Sequence, residues 1–310
     1  MSLIVQSSTQ AINSSSEMCY WTIVVTRNGE HTIRSTMESV LKQTLRPGLV
    51  YVVDDGSTDK TPGILKDFLA RFKGEVAVTR LPDNGYDIRR VVVNINIGLR
   101  NAKRLGVQAR YVMVSGDDCV YPPNYAEYIV EKMDADRRIV VTSGDIVGCS
   151  HPDVTPRGSG RFIRSSFLRK LGGHFPVLYG YETWILKKAL QQGYRVRNFS
   201  EIRFEHSRGL GVGHGFRDWG PAMRCLGYHP LELLHRCLRY VLLDRRVPVG
   251  YLTVLWDFMM SPFSRRNDPY FRYYDPGLRR FTRRRQMIRN CRRLPHFLPF
   301  QWGSGGETAR

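Results

Sequence analysis

The chain of 310 residues carries 47 Lys plus Arg against 28 Asp plus Glu, a formal net charge of +19, with 42% apolar and 11% aromatic residues. That length fits one large domain or two modest ones, and the composition excludes wholesale disorder, a collagen-like chain and a disulfide scaffold. A spanning helix needs ~20 mostly apolar residues; the best candidate, Val247 to Met260, is shorter and carries Asp257, so no membrane span is expected.

The N-terminal stretch MSLIVQSSTQAINSSSE lacks a basic start followed by a long apolar run, so it does not read as a secretory signal and cytoplasmic residence is the default expectation. Six cysteines, Cys19, Cys119, Cys149, Cys225, Cys237 and Cys291, form no CxxC pair. They are expected to be reduced and mostly buried thiols rather than zinc ligands or disulfides. Charge is uneven along the chain, since residues 211–310 hold 18 Arg against 7 acids and no Lys follows Lys188. An arginine-rich tail suits an anionic partner: nucleic acid, a lipid surface or a phosphorylated substrate.

Residues 1–18 are rich in Ser, Gln and Thr without periodicity and are expected to form a mobile polar arm. From Cys19 onward short β-branched runs alternate with helical patterns. Strands are expected at Trp21 to Val25, Val50 to Val53, Val76 to Leu81 and Tyr111 to Val114, and helices at Thr32 to Gln43, Thr61 to Phe72 and Val91 to Leu105. Such alternation implies an α/β fold with mostly parallel strands, helices on both faces and a ligand crevice at the carboxyl ends of the strands. A helix from Pro123 to Met133 and a strand at Ile139 to Thr142 extend it. A glycine-rich polar segment, Gly144 to Gly160, is followed by helices at Ser165 to Leu171 and Glu182 to Gln192 and a strand at Ile202 to Phe204. Residues 207–310 read as an Arg-rich helical extension broken by prolines, and no internal repeat is evident.

Two loops carry the chemistry. The second strand runs into Asp54-Asp55-Gly56-Ser57-Thr58, which offers carboxylates to a base or ribose and equally serves as a βα loop with a good helix cap. The fourth strand runs into Ser115-Gly116-Asp117-Asp118-Cys119. Adjacent acids at a sheet edge suit a hard, oxygen-liganded ion, or else form a solvated turn before the helix at Pro123.

In order and spacing, WTIVVTRNGEHTIRSTMESVLKQT, VYVVDDGSTDKT, VSGDDCVYPPNY, RFIRSSFLRKLGG and GYETWILKKALQQGY resemble the family 2 glycosyltransferases of the GT-A fold, over residues 19–206. The resemblance implies an inverting transferase that moves a sugar from a nucleotide-diphosphate donor to an acceptor. It implies nucleotide contacts from Thr26, Arg27, Asp54 and Asp55. It also implies a Mn²⁺ or Mg²⁺ ion on the donor diphosphate, held by Asp117 and Asp118. The usual acidic motif is DxDD, and here Ser115 replaces its first acid. Family members carry Glu-Asp at the start of the helix that opens here with Glu182-Thr183. A threonine hydroxyl does not titrate near neutrality, which leaves Glu182 as the expected general base. His206, after the last strand, is expected either as a further metal ligand or as a satisfied hydrogen-bonding residue. Arg89, Arg90 and Arg157 either neutralise the leaving diphosphate or remain on the surface. Residues 208–227, with His214 and Trp219, read as a glycine-rich lid or a plain linker.

The resemblance leaves the tail unexplained. Leu231, Leu234 and Leu238 interleaved with Arg236 and Arg239 describe an amphipathic basic helix, to which Arg279 to Arg293 would add charge. That pattern suits peripheral binding at an anionic membrane face and a lipid-linked or polyprenyl phosphate acceptor, or else a solvated extension. A nucleic-acid-binding protein on an α/β scaffold is the competing class, with Tyr270 to Tyr274 as stacking residues. The acids at Asp54, Asp55, Asp117 and Asp118 weigh against it.

Overall fold

The computed structural model describes residues 5–6, 18–85, 87, 89–148, 155–207, 216–243, 248–261 and 275–293. The chain divides into two compact units, Met1–Gly215 and Phe216–Arg310.

The first unit is a mixed sheet of nine strands: β1 (Val5–Gln6), β2 (Met18–Thr26), β3 (Val50–Asp54), β4 (Val76–Arg80), β5 (Ala109–Ser115), β6 (Cys119–Val120), β7 (Ile139–Ile146), β8 (Arg161–Arg164) and β9 (Arg195–His206). Their order is β1-β4-β3-β2-β5-β8-β7-β9-β6. Strands β4, β3, β2 and β5 are mutually parallel, as the alternating pattern predicts. The continuous apolar runs of these strands follow from burial on both faces. Along β3, Val50 and Val52 enter one core layer and Tyr51 and Val53 the other. Helices α1 (Ile33–Leu41), α2 (Thr61–Arg71) and α4 (Tyr125–Ala135) cover the first face. Helices α3 (Arg90–Arg104), α5 (Ser165–Lys170) and α6 (Tyr181–Gln191) cover the second.

Three features depart from the sequence expectation. Val5–Gln6, within the segment read as a mobile arm, pairs antiparallel with β4. The residues directly after the glycine-rich segment form β8, a four-residue strand inserted antiparallel between β5 and β7. Its pattern, charged at both ends, hides it from a search for apolar runs, yet Phe162 fills one core layer and Ile163 the other. The last strand is also far longer than Ile202 to Phe204. Register shifts in its pairing with β7 bend it, and its end turns onto β6, setting His206 opposite Cys119.

The second unit holds a 3-10 turn at Phe216–Asp218 and helices α7 (Trp219–Cys225), α8 (Pro230–Leu243), α9 (Pro248–Met260) and α10 (Pro276–Arg293). Three of these helices open on proline, whose missing N–H costs nothing in a first turn. Their core is Leu233, Cys237, Tyr251, Val254 and Phe258, with Phe216 and Trp219 packed against it. Gly220 lets α7 lie directly on the backbone of α9 at Val254 and Phe258. Trp219 thus begins a helix, while His214 and residues 270–274 lie outside the described residues. Cys119, Cys225 and Cys237 are buried, as expected. Among the described residues no helix is long and apolar enough to cross a membrane.

The ring of Phe162 packs on Tyr20 at 5.2 Å and Tyr125 at 6.3 Å between centroids, at the seam where β8 enters the sheet. Phe162→Ala should therefore cost roughly 3–5 kcal/mol of unfolding free energy in a urea titration. A cost under about 1 kcal/mol would mean that the seam is not packed as described.

Candidate active site

Because β2, β3 and β5 are adjacent and parallel, the loops leaving their carboxyl ends share one edge of the sheet. Thr26 lies opposite Asp54, and Val24 lies opposite Ser115. The loop after β2 is laced to the loop after β3. Ser57 Oγ accepts the Asn28 N–H at 2.9 Å, Asn28 Oδ1 accepts the Thr58 N–H at 2.9 Å, and Thr61 Oγ1 accepts the Gly29 N–H at 2.9 Å. Asn28 adopts φ of 50°, a left-handed conformation that Asn tolerates better than most residues.

This framework carries the acids. Thr26 Oγ1 donates to Asp117 Oδ2 at 2.6 Å, a buried charge-assisted bond that ties the first strand's loop to the fourth's. Asp55 is gripped by the Arg90 guanidinium through Nε at 2.9 and 3.0 Å and through a second, shorter contact from Nη2. Arg27 donates to the Asp55 carbonyl at 2.5 Å and to Asp83 Oδ1 at 2.8 Å. Asp54, fully buried, accepts the Ser57 N–H at 2.9 Å and faces Arg80 Nε at 3.4 Å. Burial raises its carboxyl above the ordinary range, opposed by its hydrogen bond from Ser57. Asp54 is thus placed to brace the loop from within. Ser115, at the position of the motif's missing acid, turns inward to share a 2.7 Å bond with buried Tyr121. The acidic contribution of this loop is therefore confined to Asp117 and Asp118.

Asp118, Cys119 and His206 each bring a ligating atom within 4.8 Å of the others. His206 Nε2 lies 3.5 Å from Asp118 Oδ2. The Ser207 N–H donates to the Asp118 carbonyl at 2.8 Å, so the strand that delivers the imidazole also fixes the acidic loop. Burial, then the neighbouring Asp118, pushes the Cys119 thiol up to about 12. A carboxylate, a thiol and an imidazole thus stand close enough together to hold a divalent ion.

Glu182 occupies the first turn of α6, where the helix dipole favours its charge. Its carboxylate lies where a Cβ on Gly158 would stand. The next residue, Ser159, accepts the Gly116 N–H at 3.3 Å. One short loop therefore touches both the acidic loop after β5 and the carboxylate expected to be the base. Beneath it lies Arg161, 3% exposed, donating to the carbonyls of Arg157 at 2.8 Å, Pro156 at 3.0 Å and Glu182 at 3.3 Å. Burial lowers the Arg161 pKa, with Glu182 opposing.

The structure thus joins Thr26 to Asp117, Arg90 to Asp55, and Asp118 to His206. The Arg157 guanidinium pairs at 2.6 Å with Asp145, which is buried. Arg89 pairs with Asp87 at 3.0 Å. Gly158, Ser159, Arg161, Asp83 and Cys119 escaped the sequence reading of the site. The Gly158-Ser159-Gly160 triplet was the available signal for the first two.

Two predictions follow from burial. Arg161→Lys keeps the charge but cannot reach three carbonyls, so it should lose roughly 1–3 kcal/mol of stability in denaturant; an unchanged midpoint would contradict the network. The raised carboxyl of Asp54 means that folding favours its protonated form. That stabilisation is complete below the ordinary value of 3.8 and is lost as pH rises through the higher folded value. Asp54→Asn does not ionise, so it should gain in melting temperature relative to the parent as pH rises above 3.8. A constant difference across that window would show that burial does not dominate.

The family model of glycosyl transferase family 2 matches residues 21–193. No curated protein sequence matches the chain significantly. Among solved structures, residues 1–349 of S. aureus TarS in complex with UDP-GlcNAc share 20% identity, with 81% of this chain and 74% of that one covered and a TM-score of 0.54. The mannosyltransferase PcManGT from Pyrobaculum calidifontis, in complex with GDP-Man and Mn²⁺, shares 15% over 92% of this chain and 83% of that one, with a TM-score of 0.52. GalNAc-T7 with UDP, GalNAc and Mn²⁺ shares 16% over 92% of this chain and 59% of that one, with a TM-score of 0.60. At such identities the likeness is one of fold, whereas the family match spans more than half of the chain. The chain belongs to glycosyl transferase family 2 and is a glycosyltransferase built on the GT-A-like α/β sheet.

Proposed function

We propose that this glycosyltransferase moves a sugar from a UDP- or GDP-linked donor to an acceptor oxygen by a single displacement with inversion, assisted by Mn²⁺ or Mg²⁺. The observation that carries the reading is the Thr26–Asp117 bond, which ties the acidic loop after β5 to the end of β2, where Thr26 lies opposite Asp54 at the same sheet edge. The solved structures of similar fold contain UDP-GlcNAc, GDP-Man and Mn²⁺, which supports a nucleotide-sugar donor here.

Asp55, Arg27 and the loop braced by Asp54 form the platform for the nucleotide. Arg27 and Arg90 keep that platform near electrical balance by pairing with Asp83 and Asp55. Asp117, Asp118 and His206 would hold the ion, which supplies charge neutralisation on the leaving diphosphate. Glu182 Oε takes the proton of the acceptor hydroxyl as that oxygen bonds to the anomeric carbon. The carbon–oxygen bond to the diphosphate breaks, and its electron pair leaves with the nucleoside diphosphate. The transition state has oxocarbenium character. An acceptor that is already an ionised phosphate, such as a polyprenyl phosphate, would not need the base.

Release of nucleoside diphosphate from the donor tests the assignment without knowledge of the acceptor. Glu182→Gln should slow it roughly 10²–10⁴-fold with donor affinity unchanged. Gly158→Ala, whose methyl displaces that carboxylate, should slow release in the same direction. UDP or GDP with Mn²⁺ should raise the melting temperature of the parent, and Asp117→Ala should abolish the metal-dependent part. Metal-dependent stabilisation that survives in Asp117→Ala, or unimpaired release by Glu182→Gln, would overturn the respective role.

A further inference from the structure

Helix α9 of the second unit is apolar on both sides. Tyr251, Val254 and Phe258 face the core, while Leu252, Trp256, Met259 and Met260 are exposed, Trp256 at 66%. Its only ionisable side chains are Tyr251 and Asp257, and Tyr251 is 8% exposed. A helix with no polar face normally lies inside a protein core or in lipid. At 13 residues it spans about 20 Å, too short for the ~30 Å hydrocarbon layer. A helix of this kind is compatible with lying along a bilayer surface, with the tryptophan at headgroup level.

Charge selects the kind of surface. Helix α10 carries eight arginines and no acid, and Arg280, Arg283, Arg284 and Arg285 are exposed beside Met287 and Ile288. Leu231 and Leu238 on α8 are also exposed, at 65% and 51%. Leucine and methionine side chains gain nothing from a phosphodiester backbone, which argues against nucleic acid. A second copy of this unit would bring arginine against arginine. An anionic bilayer satisfies both features, since headgroups pair with guanidinium groups while acyl chains cover the aliphatic face.

We propose that the unit Phe216–Arg310 docks the enzyme on anionic lipid bilayers through the exposed face of α9, with α10 supplying the charge. This goes beyond sugar transfer and does not depend on which donor is used.

The test is co-sedimentation of the full chain with vesicles of phosphatidylcholine alone or containing phosphatidylglycerol, beside a titration of UDP with Mn²⁺ on the same samples. The expected result is binding that needs phosphatidylglycerol and weakens as salt is raised. The triple variant Leu252→Ser, Trp256→Ser, Met259→Ser should reduce it at least about tenfold, given the per-methylene cost of lost burial. Arg283→Glu with Arg284→Glu should reduce it while leaving the apolar face intact. Either variant may be checked for folding by its melting curve, and the charge-reversal variant keeps the proposal testable should the triple variant not fold. Absence of binding to anionic vesicles, equal binding by the parent and the charge-reversal variant, or displacement by oligonucleotide with no vesicle binding would overturn the docking proposal. Failure of the UDP titration, and of the same titration with GDP, with vesicle binding intact would instead overturn the donor assignment and leave docking standing.

Discussion

Carboxylates brought together at one edge of a sheet repel one another, and the site of this enzyme is organised around relieving that repulsion. Two parallel strands, β3 and β5, flank β2 and deliver Asp54, Asp55, Asp117 and Asp118 to the same edge, largely out of water. Each has a compensating group: Ser57 and Arg80 for Asp54, Arg90 for Asp55, Thr26 for Asp117 and His206 for Asp118. These partners come from five different segments, so the charge balance is also what fixes the loops relative to one another. In a low-dielectric setting unpaired carboxylates would be costly, which makes the pairing a condition of folding.

The same economy links the acidic loop to the Glu182 carboxylate. Ser159 touches the loop after β5 and its neighbour Gly158 touches Glu182, while Arg161 anchors the segment from below through three carbonyls. The strand β8 that carries Arg161 also supplies Phe162 and Ile163 to the two core layers. Core packing and positioning of the Glu182 carboxylate therefore share one four-residue element.

Much of this was legible in the sequence because it rests on local signals. Doubly buried parallel strands show as uninterrupted runs such as Val50 to Val53, and the acids follow directly after them. The helices at Ile33–Leu41 and Thr61–Arg71 were visible from their 3.6-residue periodicity. What stayed hidden depends on pairing across distance. The strand Arg161–Arg164 has too few apolar residues to announce itself, and the pairing of Val5–Gln6 has no local cause at all. The carboxylates that engage Arg90, Arg157 and Arg27 are 12 to 56 residues away from them, so a reading of each arginine in its own loop could not anticipate those pairs. In the tail, helix positions followed from proline, but exposure of the outer side of α9 became visible only in the packed unit.

The central claim is that these converged loops seat a divalent ion against the donor diphosphate. Anomalous diffraction at the manganese edge, from crystals of the full chain grown with UDP and Mn²⁺, addresses it directly. The account predicts a manganese peak in contact with Asp118 and His206 and adjacent to Asp117, bridging to the diphosphate. A diphosphate bound with no manganese there, or a peak held by other side chains, would contradict it.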